Sequence, residues 1–296
     1  MGDALLPPEA QKYWVDNLDP FVVKFPDGWL LPGIRWYGLA YVAGFLVASW
    51  LLWLYAKKNR LKLDADGRAN LLMALILGVL LGGRFGYYLL YRPAEFFANP
   101  FIIVKVWEGG MASHGGFIGG VIGLWWFARK AKIPFLRLAD VVVTLAPPGI
   151  MFGRLANFIN GELWGKKPDS PIPWAVIFPK RDGDTIVGWT EPRHPSQLYE
   201  AATEGLLLLI YTQWRFWRRP PAGEPGALPS GQLAGEYLIA YALVRIFCEI
   251  FREPDGGDIT PIFGLSRGTF YSLFMIAAGA GLIWRMRRAP SVSRRS

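Results

Sequence analysis

The sequence has 296 residues, of which 52% are hydrophobic and 19% charged, and its formal net charge is +9. Its apolar residues come in runs of about 20, long enough to cross the hydrocarbon of a bilayer, which argues against a soluble globular chain. The basic residues lie in alternate connections between these runs, so the positive charge does not indicate a nucleic-acid partner. The single cysteine, Cys248, excludes an intrachain disulfide, and its apolar surroundings predict a buried, inert thiol.

Seven apolar segments predict an all-α polytopic membrane protein. They cover residues 34–55, 70–91, 113–129, 136–158, 196–216, 233–251 and 267–286. Basic residues cluster after the first, third, fifth and seventh segments, which places those connections in the cytoplasm, the N-terminus outside and the C-terminus inside. The first 33 residues are polar and contain prolines, so we see no cleavable signal peptide and expect the first segment to act as the insertion signal.

We divide the chain into an outward N-terminal arm (1–33), a seven-helix membrane domain (34–288) and a cytoplasmic tail (289–296). The outward connection 159–195 is rich in proline and glycine, which predicts an ordered loop or small cap rather than another span. Residues 100–107 are apolar enough for an interfacial segment. The Pro-Pro-Gly sequence at 147–149 is expected to break the fourth helix.

Polar side chains gather toward the outer ends of six of the seven predicted helices. Ionisable groups within spans are costly and usually functional. The set includes Arg35, Tyr37, Arg84, Tyr88, Tyr91, His114, Arg154, Asn157, Glu200, Glu204, Arg245, Glu249 and Arg252. We expect several arginines with few compensating acids, and a guanidinium suits phosphate, so the cluster indicates an anionic ligand.

Some of these residues also have a purely structural interpretation. Tyr88 and Tyr91 could be interface anchors. Arg252 could extend to lipid head groups, and Arg245 with Glu249 could form a structural ion pair. The depth shared by the whole set is what favours a functional site.

The glycine-rich sequence HGGFIGG at 114–120 lets another backbone or a lipid chain approach closely. We expect it to line an approach for lipid chains. Tight helix packing alone is an equally good interpretation for Gly119 and Gly120.

Five motifs stand out along the chain: RWYG at 35–38, HGG at 114–116, GRLANFINGELWG at 153–165, RHPSQLYE at 193–200 and REPD at 252–255. Together, and in this order, they closely resemble the signature of bacterial prolipoprotein diacylglyceryl transferases. Two departures are visible. Ala156 stands where the family usually has glycine, a small change, and the sequence SRGT at 266–269 differs from the usual entry to the last helix, which we expect to matter little for chemistry.

The resemblance implies transfer of an sn-1,2-diacylglyceryl group from phosphatidylglycerol to the lipobox cysteine in the signal peptide of a prolipoprotein. It also implies a thioether product, release of glycerol 1-phosphate, and a place in the bacterial cytoplasmic (inner) membrane. The expected fold has seven helices, with the active site, the arm and the 159–195 loop toward the periplasm. The predicted partners are phosphatidylglycerol, the prolipoprotein and membrane lipids.

Given that reaction, three residues are our catalytic candidates. His114 is the candidate general base for the thiol, since imidazole titrates near neutrality. Arg154 and Arg245 are the candidates for stabilising the phosphate as it leaves. Asn157 could orient the phosphate or the glycerol head, and Tyr37 could hydrogen-bond the head group or position the base.

The other predicted residues support these groups. Glu162 and Glu249 are expected to orient arginines, and Gly165 and Arg252 complete the predicted substrate-binding set. His194 precedes a proline at a helix entrance and is expected to anchor a loop. We expect no cofactor, and no cluster in the sequence is spaced to ligate a metal.

A transporter or flippase for an anionic lipid or solute is the main alternative. It too would need arginines in a cavity, but it should also show two corresponding halves with broken helices, and only one clear break is visible. A metal-dependent transferase of the CDP-alcohol type would need aspartates arranged around a divalent ion, and these are missing.

Overall fold

The computed structural model describes residues 6, 8–26, 28–29, 32–104, 110–221, 223–224, 226–253 and 263–288. The predicted tail at 289–296, the end of the interfacial segment at 105–107, and residues 254–255 of the last motif lie outside this range. The chain forms two compact units. The first contains Met1–Val47, Val143–Arg218 and Gln232–Ser296, and the second contains Ala48–Val142 and Arg219–Gly231.

Helices dominate, as expected from the apolar segments. They are α1 Trp36–Lys57, α2 Ala65–Tyr91, α3 Pro93–Ala98, α4 Ser113–Ala131, α5 Phe135–Val142, α6 Ala146–Ile159, α7 Ser196–Glu200, α8 Leu208–Arg218, α9 Gln232–Glu249 and α10 Arg267–Arg288. All seven predicted segments are therefore largely helical. Among the described residues, α1, α2 and α10 are long and apolar enough to cross a membrane, and α5 with α6 would be a fourth span if counted together.

The fourth predicted segment is interrupted, but the break precedes the prolines. Residues 143–145 form turns between α5 and α6. Pro147 and Pro148 lie in the first turn of α6, where backbone N–H groups have no intrahelical acceptor and a missing donor costs little. The fifth segment is continuous but contains a π-helical stretch, Ala201–Leu207, between α7 and α8.

Six short strands modify the all-α prediction. They are β1 Trp14–Val15, β2 Phe21–Lys24, β3 Gly33–Arg35, β4 Val176–Ile177, β5 Pro179–Asp182 and β6 Thr185–Trp189. β1 pairs in parallel with β4, whereas β2 with β3 and β5 with β6 are antiparallel. The predicted loop at 159–195 is thus an ordered cap that includes part of the N-terminal arm.

The cap has its own small core. Phe158 at the end of α6 packs with Val176 and Phe178 of the cap, and Leu18 of the arm joins them. At the edge, Arg35 pairs with Asp184 at 2.6 Å. The arm, the end of α6 and the β5–β6 hairpin therefore form one structure above the helices of the first unit.

In the second unit, α2 and α4 cross at their glycines. A Cβ on Gly82 would lie 2.7 Å from the Cα of Gly119, and one on Gly86 would lie 2.8 Å from the Cα of Gly115. Backbones approach this closely only where neither helix has a side chain. Gly115 and Gly119 therefore both face α2 and serve helix packing. The expected lipid approach is wrong for Gly115, and for Gly119 the packing interpretation holds.

Arg84 of α2 is fully buried. Its guanidinium donates to the carbonyls of Ile102 and Gly110 at 2.9 and 3.3 Å, and to the Tyr88 hydroxyl at 3.3 Å. The side chain thus holds the connection that precedes α4. Tyr88 is buried against it rather than anchoring at an interface, whereas Tyr91 is exposed.

Candidate functional site

The first unit gathers three predicted arginines around two glutamates of the polar set to which we had given no individual role. Arg154 projects from α6 and Arg245 from α9, and Arg252 follows the end of α9. Glu200 ends α7, and Glu204 lies one turn later in the π-helical stretch. Both carboxylates are fully buried. We call these five residues together with Glu249 the arginine–glutamate cluster.

Glu200 is the shared partner in this cluster. Its Oε2 lies 2.8 Å from Nε of Arg154, and its Oε1 lies 3.1 Å from Nη1 of Arg245 and 3.0 Å from Nη1 of Arg252. Three cations on one carboxylate are tolerated in a buried site only if further anions balance them.

Glu204 and Glu249 provide that balance. Oε2 of Glu204 lies 3.5 Å from Nη2 of Arg154, and its Oε1 lies 3.3 Å from Nη1 of Arg245. Glu249 pairs with Arg245 one helical turn away. Three arginines therefore face three glutamates.

The expectation of arginines with few compensating acids is thus wrong. A guanidinium that leaves water needs a buried counter-charge, and this fold supplies one for each. The predicted role of Glu249 as an arginine partner agrees with its contact. Arg252 is buried on Glu200, so it does not extend to head groups.

Close backbone approach places the glutamates next to α6. Gly205 lies in the π-helical stretch, and a Cβ on it would be 2.8 Å from the Cα of Met151. Because Gly205 has no side chain, this stretch packs directly on α6 and presents Glu204 to Arg154. A π-helical stretch also changes the direction of the side chains that follow it, a feature often found at functional sites.

Gly268 makes a similar close approach at the start of α10. A Cβ on this residue would lie 2.5 Å from the carboxyl carbon of Glu249. Glu249 in turn holds Arg245. The departure from the family pattern at 266–269 was expected to bear little on chemistry, yet it lies directly against the cluster.

Asn157, one turn after Arg154, organises a second polar group. Its side-chain amide donates to the Tyr37 hydroxyl at 3.1 Å and to Oε1 of Glu162 at 2.9 Å. Glu162 also accepts from Asn160 at 3.4 Å. The prediction that Glu162 orients an arginine is therefore wrong for the described residues, because its carboxylate serves asparagine amides instead.

Gln197 holds the backbone of this second group. It is fully buried, and its amide donates to the carbonyl of Glu162 at 2.7 Å. Its neighbour Ser196 donates to the carbonyl of Leu163 at 3.1 Å. Leu163 has a φ of 57°, an unfavourable conformation that such contacts maintain. Gln197 is a third residue for which we had predicted no role in the site.

Gly165 lies where three chain segments meet. A Cβ there would be 2.5 Å from the carbonyl oxygen of Phe251 and 2.7 Å from that of His194. Its own N–H donates to the His194 carbonyl at 2.9 Å, and it forms an antiparallel bridge with Arg252. This glycine therefore lets the 163–166 loop hold the backbone of Arg252, whose side chain reaches Glu200.

His194 anchors the same loop, in line with its predicted role. Its Nδ1 lies 3.1 Å from the Tyr199 hydroxyl, and its ring packs edge-on against Tyr199 and Phe251. Burial lowers the pKa of this imidazole below its ordinary value, with a smaller opposing effect from Asp169. The ring is thus held mainly in its neutral form at neutral pH.

The first unit therefore contains most of the predicted site: Tyr37, Arg154, Asn157, Glu162, Gly165, Arg245, Glu249 and Arg252. His114 belongs to the second unit, where it is exposed in the first turn of α4. Its role as the general base stays a prediction.

Signals for the missed residues exist in the sequence. Glu200 and Glu204 are two carboxylates four residues apart in an otherwise apolar segment, a spacing that puts both on one helical face. Two acids that a membrane helix must bury require cationic partners on other helices. Gln197 is one turn before Glu200 and has no comparable signal of its own.

Comparison with known proteins agrees with the motifs. The family model described as prolipoprotein diacylglyceryl transferase matches residues 29–285. The chain is 43% identical to the phosphatidylglycerol–prolipoprotein diacylglyceryl transferase of Ruegeria pomeroyi, covering 87% of this chain and 92% of that protein. Proteins of the same description from Aeromonas salmonicida and Cupriavidus necator are 41% and 43% identical, covering 95% and 87% of this chain and 94% and 90% of theirs.

Proposed function

The chain belongs to the prolipoprotein diacylglyceryl transferase family, and we propose that it transfers the sn-1,2-diacylglyceryl group of phosphatidylglycerol to the lipobox cysteine of a prolipoprotein. It is a membrane transferase of lipoprotein maturation. The observation that carries the proposal at the site is the arginine–glutamate cluster, whose Arg154 lies on the same helix, α6, as the Asn157 amide.

A charge-balanced cluster can still bind a phosphodiester if it presents a fixed donor. The contacts of Arg154 among the described residues engage Nε and Nη2, which leaves the N–H groups of Nη1 for a ligand. Its side chain is 19% exposed, compared with 15% for Arg245 and 6% for Arg252. Buried glutamates therefore hold Arg154 in one orientation with one side open, as preorganised stabilisation of a developing anion requires.

The reaction that follows is a displacement at carbon. The lipobox thiol gives its proton to His114, and the thiolate attacks the glycerol carbon that bears the phosphodiester oxygen. A carbon–sulfur bond forms as the carbon–oxygen bond breaks, and the electron pair leaves with the phosphate of glycerol 1-phosphate. Arg154 and Arg245 stabilise the negative charge that grows on that phosphate.

Asn157 and Tyr37 act on the polar part of the lipid. The Asn157 amide already donates to Tyr37 and Glu162, so its position is fixed from two sides. The Tyr37 hydroxyl accepts that bond and keeps its own hydrogen for another partner. We infer that this hydrogen binds the glycerol head group. Gly165 and Arg252 support the site through the loop contact between them.

We also propose the finer topology. The seven helical segments each span the bacterial cytoplasmic (inner) membrane, with the N-terminus and the cap in the periplasm and the C-terminus in the cytoplasm. The basic residues occur in every second connection along the chain, which supports this arrangement. It would bring the site to the side where a secreted precursor arrives. Reporter fusions at the C-terminus and within the cap test the sidedness, and an external C-terminus would overturn it.

The alternative, a transporter or flippase for an anionic lipid, is less well supported, because family membership over nearly the whole chain points to the transferase. The discriminating experiment uses the full-length protein in vesicles that contain phosphatidylglycerol and a lipobox peptide. Mass spectrometry should show a diacylglyceryl adduct on the peptide. A peptide with serine in place of the cysteine and vesicles without phosphatidylglycerol are the controls, and no adduct from folded protein would refute the proposal.

A further inference from the structure

The connection between α1 and α2 forms a pocket of about 480 Å³ that shares no residue with the proposed site. Three cations line it: Lys57 at the end of α1, Lys62 in the connection, and Arg68 in the first turns of α2. No acidic residue belongs to the lining. A concave surface with three cations and no acid is a site for an anion.

These cations are available to a ligand. Among the described residues none of the three pairs with a carboxylate, whereas exposed Lys24, Arg92 and Lys167 each do. Arg68 is oriented by its bond to the Leu63 carbonyl at 2.9 Å, which uses one nitrogen, Nη1. The nearby carboxylate of Asp64 accepts from the N–H of Gly67 at 2.7 Å and caps α2.

The rest of the pocket wall is apolar. It includes Trp53, Leu61 and Leu63, and the Lys57 ammonium lies 4.7 Å from the centre of the Trp53 ring. Both α1 and α2 are long and apolar enough to cross a membrane, so their connection lies where the chain meets the bilayer surface. A ligand at this place meets both cations and apolar side chains, a tryptophan and leucines among them.

From this combination we propose that the pocket binds the head group of an anionic phospholipid. The phosphate would lie among Lys57, Lys62 and Arg68, and the glycerol backbone and upper acyl chain would contact the Trp53 side. Free inorganic phosphate is also an anion, but it has no apolar group that could contact the apolar wall. The bound lipid is held rather than reacted, because no carboxylate, histidine or thiol lines the pocket to activate a nucleophile.

The direct test measures the accessibility of the lysines. Full-length protein is placed in nanodiscs of phosphatidylcholine alone, or of phosphatidylcholine and phosphatidylglycerol in equal parts, and treated with an amine-reactive reagent. Residue-resolved mass spectrometry should show several-fold slower labelling of Lys57 and Lys62 in the anionic discs. Lys130 is the internal control, because it too lies over a tryptophan, Trp126, but outside the pocket.

Two results would overturn the proposal. Equal protection of Lys130 would mean a general effect of the anionic surface. Equal protection by inorganic phosphate added to phosphatidylcholine discs would mean a site for free anions rather than for lipid.

A pair of variants tests the same point by retention of lipid. In native mass spectrometry, K57Q/K62Q should retain roughly 25-fold less phosphatidylglycerol at this pocket than the unmodified protein. The loss of two cations at a membrane surface predicts an effect of this size. The control R129Q/K130Q removes the same charge from α4, where both cations also lie over tryptophans. Equal loss in the two variants contradicts the proposal. Peptide transfer, measured in parallel, reports separately on the proposed function.

Discussion

The two units hold their helices together by different means. In the first unit, α6, the π-helical stretch and α9 meet through buried arginines and glutamates. In the second, α2 and α4 meet through glycines, and the atoms nearest to Gly82, Gly115 and Gly119 across the crossing are backbone atoms. Ion pairs demand exact partners and fix the direction of side chains, whereas glycine contacts fix only the distance between backbones. The comparison indicates that the first unit is built to orient functional groups and the second to hold helices close.

The strongest way to break this comparison is to remove the shared carboxylate. Glu200→Gln should destabilise the first unit by about 3–5 kcal/mol, because three buried guanidinium groups lose a common partner. Denaturant unfolding in detergent micelles measures the change. The matched control is Glu236→Gln, since Glu236 pairs with one arginine, Arg215, at 2.6 Å. Equal losses of unfolding free energy in the two variants would mean that a carboxylate shared by three arginines stabilises the fold no more than one paired with a single arginine.

Arg154→Gln should leave the fold largely intact and reduce kcat for peptide transfer by about 10²–10³, the usual effect of losing one preorganised donor to a developing anion. Initial rates with a lipobox peptide in phosphatidylglycerol vesicles provide the measurement. Arg193→Gln is the control, because Arg193 pairs with Glu253 at 2.8 Å and lies before α7. A rise in KM at unchanged kcat would contradict a role in leaving-group stabilisation.

The glycine crossing is tested by adjacent residues of α4. Gly119→Ala should cost about 1–3 kcal/mol of stability, because the new methyl group would meet the backbone of Gly78 on α2. Gly120→Ala should be nearly neutral, since its Cβ would contact only a side-chain methyl of Val79 at 3.3 Å. Thermal unfolding compares the two. Similar midpoints would show that α2 and α4 can separate at little cost.

A smaller effect is expected at the entry to α10. Gly268→Ala should push the Glu249 carboxylate, displace Arg245 and reduce transfer about tenfold, corresponding to roughly 1.4 kcal/mol. Gly281→Ala on the same helix is the matched control, because nothing lies within 4 Å of its Cβ position. Full activity of the Gly268 variant would remove this residue from the support of the site.

The smallest effect concerns pH. Burial lowers the folded-state pKa of His194, so its stabilising contribution is present above the ordinary pKa of histidine and is lost as pH falls through the lowered value. Protection of the amides of Gly165 and Lys166 against exchange, taken relative to their intrinsic exchange rates at each pH, should fall on acidification below about pH 6.5, because their backbones bond to His194 and its surroundings. His194→Gln should abolish that dependence, and an unchanged dependence would point to another group.

Much of this molecule could be predicted from local patterns. Apolar runs identified the seven long helical segments but not the short helix α3, and the motifs around Arg154, Asn157 and Arg252 helped to identify the family. Proline and glycine content identified the cap. Its strand pairing with the arm, Trp14 with Val176, joins residues far apart in the sequence and has no local signal.

The sequence by itself determined where the helices lie and which residue types reach the site, because hydrophobic length and charge position act locally along the chain. The tertiary structure decided which residues contact each other. Glu200 pairs with three arginines, Glu162 accepts a hydrogen bond from Asn157, and Gly119 faces a helix rather than a lipid. These choices depend on which side chains compete for one buried carboxylate or one narrow gap. That competition exists only once the helices have packed.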